Sequence, residues 1–109
     1  MDRGFSYGDG FFETMIWEHL GGNVKPTLKV QYWKRHMQRI KDGCRLMQIK
    51  FPDYKTLINQ RNKILGKSFN SGMRSGILKL IITRGPGGRG YKFEKNMEST
   101  LAFLSFQKT

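Results

Sequence analysis

Apolar positions along the chain change their spacing several times, and each change marks an element. Residues 10–17, GFFETMIW, are rich in aromatic and β-forming residues and predict a strand. Leu20-Gly21-Gly22-Asn23 signals a turn, after which Val24 to Leu28 returns as a short strand interrupted by Pro26. From Val30 the steps become three and four. Val30, Trp33, Met37, Ile40, Cys44 and Met47 make a helical stripe, with Lys34, Arg35, Gln38, Lys41 and Arg45 on the other faces. Gly43 weakens that helix by about 1 kcal/mol relative to alanine without ending it. A second helix follows Pro52, with Asp53 as N-cap and Tyr54, Leu57, Ile58, Ile64 and Leu65 as its stripe; Gly66 is its expected stop.

Residues 67–76 read as a loop containing Asn70-Ser71-Gly72. Ile77 to Thr83, ILKLIIT, is a nearly continuous apolar strand of the kind covered on both faces. Arg84 to Tyr91 is a glycine-rich loop, and Ser99 to Phe106 is a further strand. Strand, helix, helix, strand, strand gives an α+β fold class: an antiparallel sheet packed with two helices, one unit from 10 to 106.

Composition narrows the class. A chain of 109 residues suits one domain with one core, and a 38% hydrophobic fraction argues against disorder. No apolar run approaches the ~18 residues of a membrane span, so no membrane partner is expected. Asp2 and Arg3 follow Met1 with no apolar segment behind them, unlike a signal peptide. Cys44 is the single cysteine and cannot form an internal disulfide, so a cytoplasmic protein is the default expectation.

Charge changes the picture more. Twenty Lys and Arg against eight Asp and Glu give +12, which predicts attraction to anions. Nucleic acid, an acidic membrane, or a phosphorylated or carboxylated small molecule would each fit, as would acids carried on another part of the protein.

The loop Arg84-Gly85-Pro86-Gly87-Gly88-Arg89-Gly90-Tyr91 lets backbone approach a ligand closely and offers two arginines for bidentate contacts with oxyanions. Read blandly, it is a flexible strand connection; read as an RGG-like segment, it makes the chain a basic RNA-binding module acting through Arg84, Arg89 and Tyr91. Such segments usually repeat, whereas this one occurs once between two strong strands, which makes nucleic acid the weaker reading. His36 and Arg39 are helix neighbours three residues apart. Periodicity puts Arg39 off the apolar stripe as a solvated charge, and His36 beside it as a partly buried, hydrogen-bonded histidine. No Cys-His cluster has metal-ligand spacing, no Ser-His-Asp arrangement can be built, and the GxxxxGK[ST] and GxGxxG signatures are absent.

Three segments together resemble one family in order and spacing. Asp2-Arg3-Gly4-Phe5-Ser6-Tyr7-Gly8-Asp9-Gly10-Phe11-Phe12-Glu13-Thr14 is similar to the opening signature of the class IV aminotransferases, fold-type IV enzymes dependent on pyridoxal 5'-phosphate (PLP). His36-Met37-Gln38-Arg39-Ile40 resembles the family's His-x-x-Arg-Leu element, and Thr83 to Tyr91 resembles the loop of its aminodeoxychorismate lyases. The family also holds branched-chain and D-amino acid aminotransferases, which are the alternative within it.

The resemblance implies roles. Arg39 matches the arginine that binds the PLP phosphate, against the solvated-charge reading. Arg89 and Tyr91 match loop residues that contact substrate carboxylate, often in the active site of the partner subunit. Phe12 stands where some members place a pocket tyrosine, here without the hydroxyl. It further implies a homodimer, a small anionic substrate, and a reaction releasing pyruvate and 4-aminobenzoate in folate biosynthesis. None of the twelve lysines stands in the context of the one that carries PLP. Residues 1–109 are therefore expected to be an N-terminal domain, lacking the family's first strand and C-terminal catalytic domain, with no catalytic residue of its own and inactive alone.

Overall fold

Alternation of large apolar residues builds the first strand. Residues 10–22, 26–84 and 99–107 are described in the computed structural model. Strand β1 (Gly10–Gly21) buries Phe11, Glu13, Met15 and Trp17 on one face, the period of two that a half-buried strand requires. It runs longer than the 10–17 segment because β2 (Thr27–Val30) pairs with its second half, Trp17 opposite Val30 and His19 opposite Leu28. Pro26 precedes β2, where its missing N–H costs no ladder bond. Val30 ends that strand and does not open the helix as its spacing suggested.

Helix α1 (Trp33–Met47) is flanked by two left-handed residues, Tyr32 (φ 56) and Gln48 (φ 54). At its C-terminus Ile49 N–H returns to the Cys44 carbonyl at 2.8 Å, and Ile49 itself is buried. The predicted stripe holds: Met37, Ile40 and Cys44 are buried, with Trp33 and Met47 packed at the margin. Gly43 is a requirement more than a weakness. A Cβ there would lie 2.7 Å from the Phe11 ring, so glycine lets α1 close onto β1.

Helix α2 (Tyr54–Asn70) begins as expected, with Asp53 accepting from the Thr56 N–H at 3.0 Å. It does not stop at Gly66. That residue keeps a right-handed conformation with open space around it, and the following turn docks through Ser68, whose hydroxyl donates to Ser105 at 2.8 Å. Strand β3 (Ser75–Arg84) then begins earlier than Ile77, and β4 (Ser99–Phe106) matches its predicted bounds.

The sheet is antiparallel throughout, in the order β2-β1-β3-β4. Both helices lie on one face, α1 against β1 and α2 against β4. Between them and the sheet sits the core: Phe11, Met15, Trp17, Leu78, Leu80, Ile82 and Phe103 from strands, Met37, Ile40, Cys44, Leu57 and Leu65 from helices. Among the described residues only one face of β3 is fully covered. Leu78, Leu80 and Ile82 are buried, whereas Ile77, Lys79 and Ile81 remain half-buried on the other side, so its apolar run does not mark cover on both faces. No helix among the described residues is long and apolar enough to cross a membrane.

Burial has a chemical consequence at Cys44, whose thiol is pushed up to about 11 by desolvation. The protonated thiol is favoured in the folded chain, so stability gained there is full below the ordinary thiol range. It is lost as pH rises towards 11. Cys44 is expected to resist thiol reagents at pH 8 in buffer and to react fully in denaturant; rapid reaction in the folded chain would contradict this burial.

Candidate functional site

One carboxylate among the described residues faces inward among hydrophobic residues. Position 13 shares its face of β1 with Phe11, Met15 and Trp17, so Glu13 is carried under α1 and is 2% exposed. Helix α1 presents His36 and Arg39 one turn apart to meet it. His36 Nδ1 and Glu13 Oε2 share a hydrogen bond of 2.6 Å. Arg39 Nε forms an ion pair with the same oxygen at 3.3 Å. The other oxygen, Oε1, is buried and has no hydrogen-bond partner among the described residues.

Side-chain exposure grades outward through the cluster: 2% for Glu13, 14% for His36 and 35% for Arg39. Arg39 is thus not the freely solvated charge of the periodicity argument. Its Nε is paired with Glu13 while the side chain stays partly exposed, an arrangement suited to an oxyanion. His36 is the partly buried, hydrogen-bonded histidine that its position predicts.

Phe12 points the opposite way. Neighbours along a strand project to opposite faces, so Phe12 lies on the face away from the helices, where the Lys79 ammonium stands 3.9 Å from its ring centre. Arg39, on α1, and Phe12 therefore lie on opposite sides of the sheet. Arg84 reaches back to α1, donating to the carbonyls of Met47 (3.0 Å) and Gln48 (3.5 Å). That gives it a structural task at the negative end of the helix. Arg89 and Tyr91 lie outside the described residues, as does the segment 1–9. Gly10, from which the opening signature is described, pairs closely with β3: a Cβ there would fall 2.9 Å from Thr83 Cα, so glycine permits the approach.

Glu13 was not singled out as a site residue from sequence, although a signal was present. A charged residue in the inward register Phe11-x-Glu13-x-Met15-x-Trp17 requires a partner, and α1 supplies two. Three clefts lined by described residues lie between α2 and β4 around Gln60, Lys63 and Phe103, at the start of α2 around Asp53, Thr56 and Thr100, and beside Trp33 and Tyr54. None of these three contains Glu13, His36 or Arg39. Among the described residues no group of three or more His, Cys, Asp or Glu could hold a metal ion.

The sequence pattern of the class IV amino-transferases matches residues 10–108, a span that includes both Glu13 and the His36–Arg39 pair. The chain belongs to the amino-transferase class IV family. Within that family it is similar to an aminodeoxychorismate lyase of Vibrio harveyi, 34% identical over 90 residues. That match covers 83% of this chain and 28% of the Vibrio protein, so the chain spans well under half of its relative. No solved structure matches. Members of the class IV amino-transferase family depend on PLP, whose phosphate is the kind of oxyanion a tethered arginine receives.

Proposed function

We propose that this chain is the N-terminal domain of a PLP-dependent aminodeoxychorismate lyase, which removes pyruvate from 4-amino-4-deoxychorismate and leaves 4-aminobenzoate. The observation that carries the reading is the Arg39 side chain, paired through Nε with buried Glu13 at 3.3 Å and itself about one third exposed (35%). Its donor chemistry fits the cofactor phosphate: a permanent cation with a planar fork of N–H groups. PLP, when bound, would supply the electron sink for bond cleavage near the substrate's amine. The chain's own residues bind and orient.

Arg39 anchors the phosphate, and Arg89 and Tyr91 take the substrate carboxylate. Phe12 forms an apolar wall on the open face, beside the Lys79 cation. The cofactor lysine comes from the C-terminal domain, and the working enzyme is a homodimer acting on a small anionic substrate in the cytoplasm. A net charge of +12 is in keeping with two anionic ligands and does not require nucleic acid.

The family pattern also supports a second reading, amino transfer to a keto acid. The two separate in one assay of the polypeptide that joins this domain to the cofactor lysine, supplied with PLP and 4-amino-4-deoxychorismate. Equal release of pyruvate and 4-aminobenzoate is expected. Amino transfer to a keto acid without pyruvate release would replace the lyase reading with the aminotransferase one.

A further inference from the structure

We infer that Glu13 is a positioning residue, which orients the Arg39 guanidinium through Nε so that its terminal nitrogens face a phosphate. The inference rests on the phosphate role proposed above and adds what makes that arginine effective.

A buried carboxylate is a poor device for stability. Desolvation of the charge offsets its attraction to partners, and an apolar residue of similar size generally packs as well or better. Glu13 carries this liability in full, because it lies among core residues and its Oε1 has no partner among the described residues. Its Oε2, by contrast, is doubly engaged. Both contacts come from one turn of α1, His36 at 2.6 Å and Arg39 at 3.3 Å.

The point of attachment on Arg39 matters. Nε lies on one side of the guanidinium fork. Tethering it there stops rotation of the long side chain and leaves the edge formed by the two Nη groups for a bidentate contact. An untethered arginine would lose rotamer freedom when phosphate binds; a tethered one has lost it already. His36 completes the arrangement by supplying Glu13 with a second hydrogen-bond partner, so the carboxylate remains bonded while Arg39 engages a ligand.

There is an opposing effect with a definite sign. The Glu13 charge partly neutralises Arg39 and by itself weakens attraction to a dianion. If orientation dominates, removing the carboxylate charge weakens phosphate binding. If neutralisation dominates, the same change strengthens it.

The test uses the ¹⁵N-labelled polypeptide that joins this domain to the one bearing the cofactor lysine, with pyridoxamine 5'-phosphate and pyridoxamine as probes that lack a lysine-reactive aldehyde. In the wild type, the Arg39 Nε–H should exchange with water at least about tenfold more slowly than that of exposed Arg35. Pyridoxamine 5'-phosphate should bind more tightly than pyridoxamine. Glu13→Gln should keep the Trp17 indole signal of the folded core, lose the exchange protection, and weaken only the phosphorylated probe, by about threefold or more.

Equal or tighter binding of that probe by Glu13→Gln would overturn the positioning role while leaving Arg39 as the phosphate residue. If wild type shows no preference for the phosphorylated probe, the phosphate reading falls, and the ligand named here falls with it. Should Glu13→Gln fail to fold, the wild-type exchange rate still decides: an Arg39 Nε–H as fast as that of Arg35 refutes the tether.

Discussion

Phe11→Ala is expected to destabilise the chain by about 3–5 kcal/mol, read from the shift in its urea unfolding midpoint. The ring is fully buried and forms the floor on which α1 rests at Gly43. Removing it opens a cavity between sheet and helix that the rigid backbone on either side cannot fill. For a domain of this size that loss is a large fraction of a total on the order of 5–15 kcal/mol.

The same contact seen from the helix makes the prediction sharper. Gly43→Ala improves helix propensity by about 1 kcal/mol, yet its methyl would meet the Phe11 ring at 2.7 Å. Overpacking of this kind costs about 1–3 kcal/mol, so a net loss is expected in the wild-type background. Joined to Phe11→Leu, the alanine should become neutral or favourable, because the smaller side chain vacates the space. A stabilising Gly43→Ala in the wild-type chain would show that α1 does not sit this closely on β1.

Arg39→Ala is expected to weaken binding of pyridoxamine 5'-phosphate by the intact enzyme by about 1.5–3 kcal/mol, the worth of a hydrogen bond to a charged group. This corresponds to roughly tenfold to a hundredfold in the dissociation constant. Pyridoxamine, which lacks the phosphate, should bind almost unchanged. Arg39→Lys should fall between the two, because a lysine retains charge but lacks the planar fork and an Nε to tether. Alanine also leaves Glu13 with His36 alone, so unfolding should be measured beside binding to keep the two losses apart. Identical losses for phosphorylated and unphosphorylated probes would mean that Arg39 supports the fold and does not read the phosphate.

Elements governed by local pattern were legible from sequence. The α1 stripe, the Asp53 cap and β4 appear where periodicity and turn chemistry put them. Departures occur where a distant contact overrides a local preference. Gly66 predicts a helix end, but Ser68 reaches Ser105 across to β4 and carries the helix four residues further. Val30 fits the helical spacing, yet pairing with Trp17 holds it in a strand. The apolar run in β3 suggests cover on both sides, whereas the described residues cover one.

The site divides along the same line. Arg39 could be assigned a phosphate role only through resemblance, because helix arithmetic shows which face a residue occupies and not what approaches it. Glu13 is twenty-six residues from Arg39 in sequence, and their contact exists only after α1 has docked on β1. Arg89 and Tyr91 lie outside the described residues, and their roles stay with the resemblance. Phe12 shows the value of register: the resemblance names it as a pocket residue, and strand alternation sends it to the side opposite Glu13.

That alternation also governs which kinds of genetic change β1 can survive. A substitution at position 12 or 13 alters one face and leaves the other intact. A one-residue insertion or deletion just before them exchanges the faces of the residues that follow, turning the carboxylate outward to the side of Lys79 and taking Met15 and Trp17 out of the core. Descendants of this sequence can therefore vary β1 side chain by side chain, but its length between Gly10 and Trp17 is fixed.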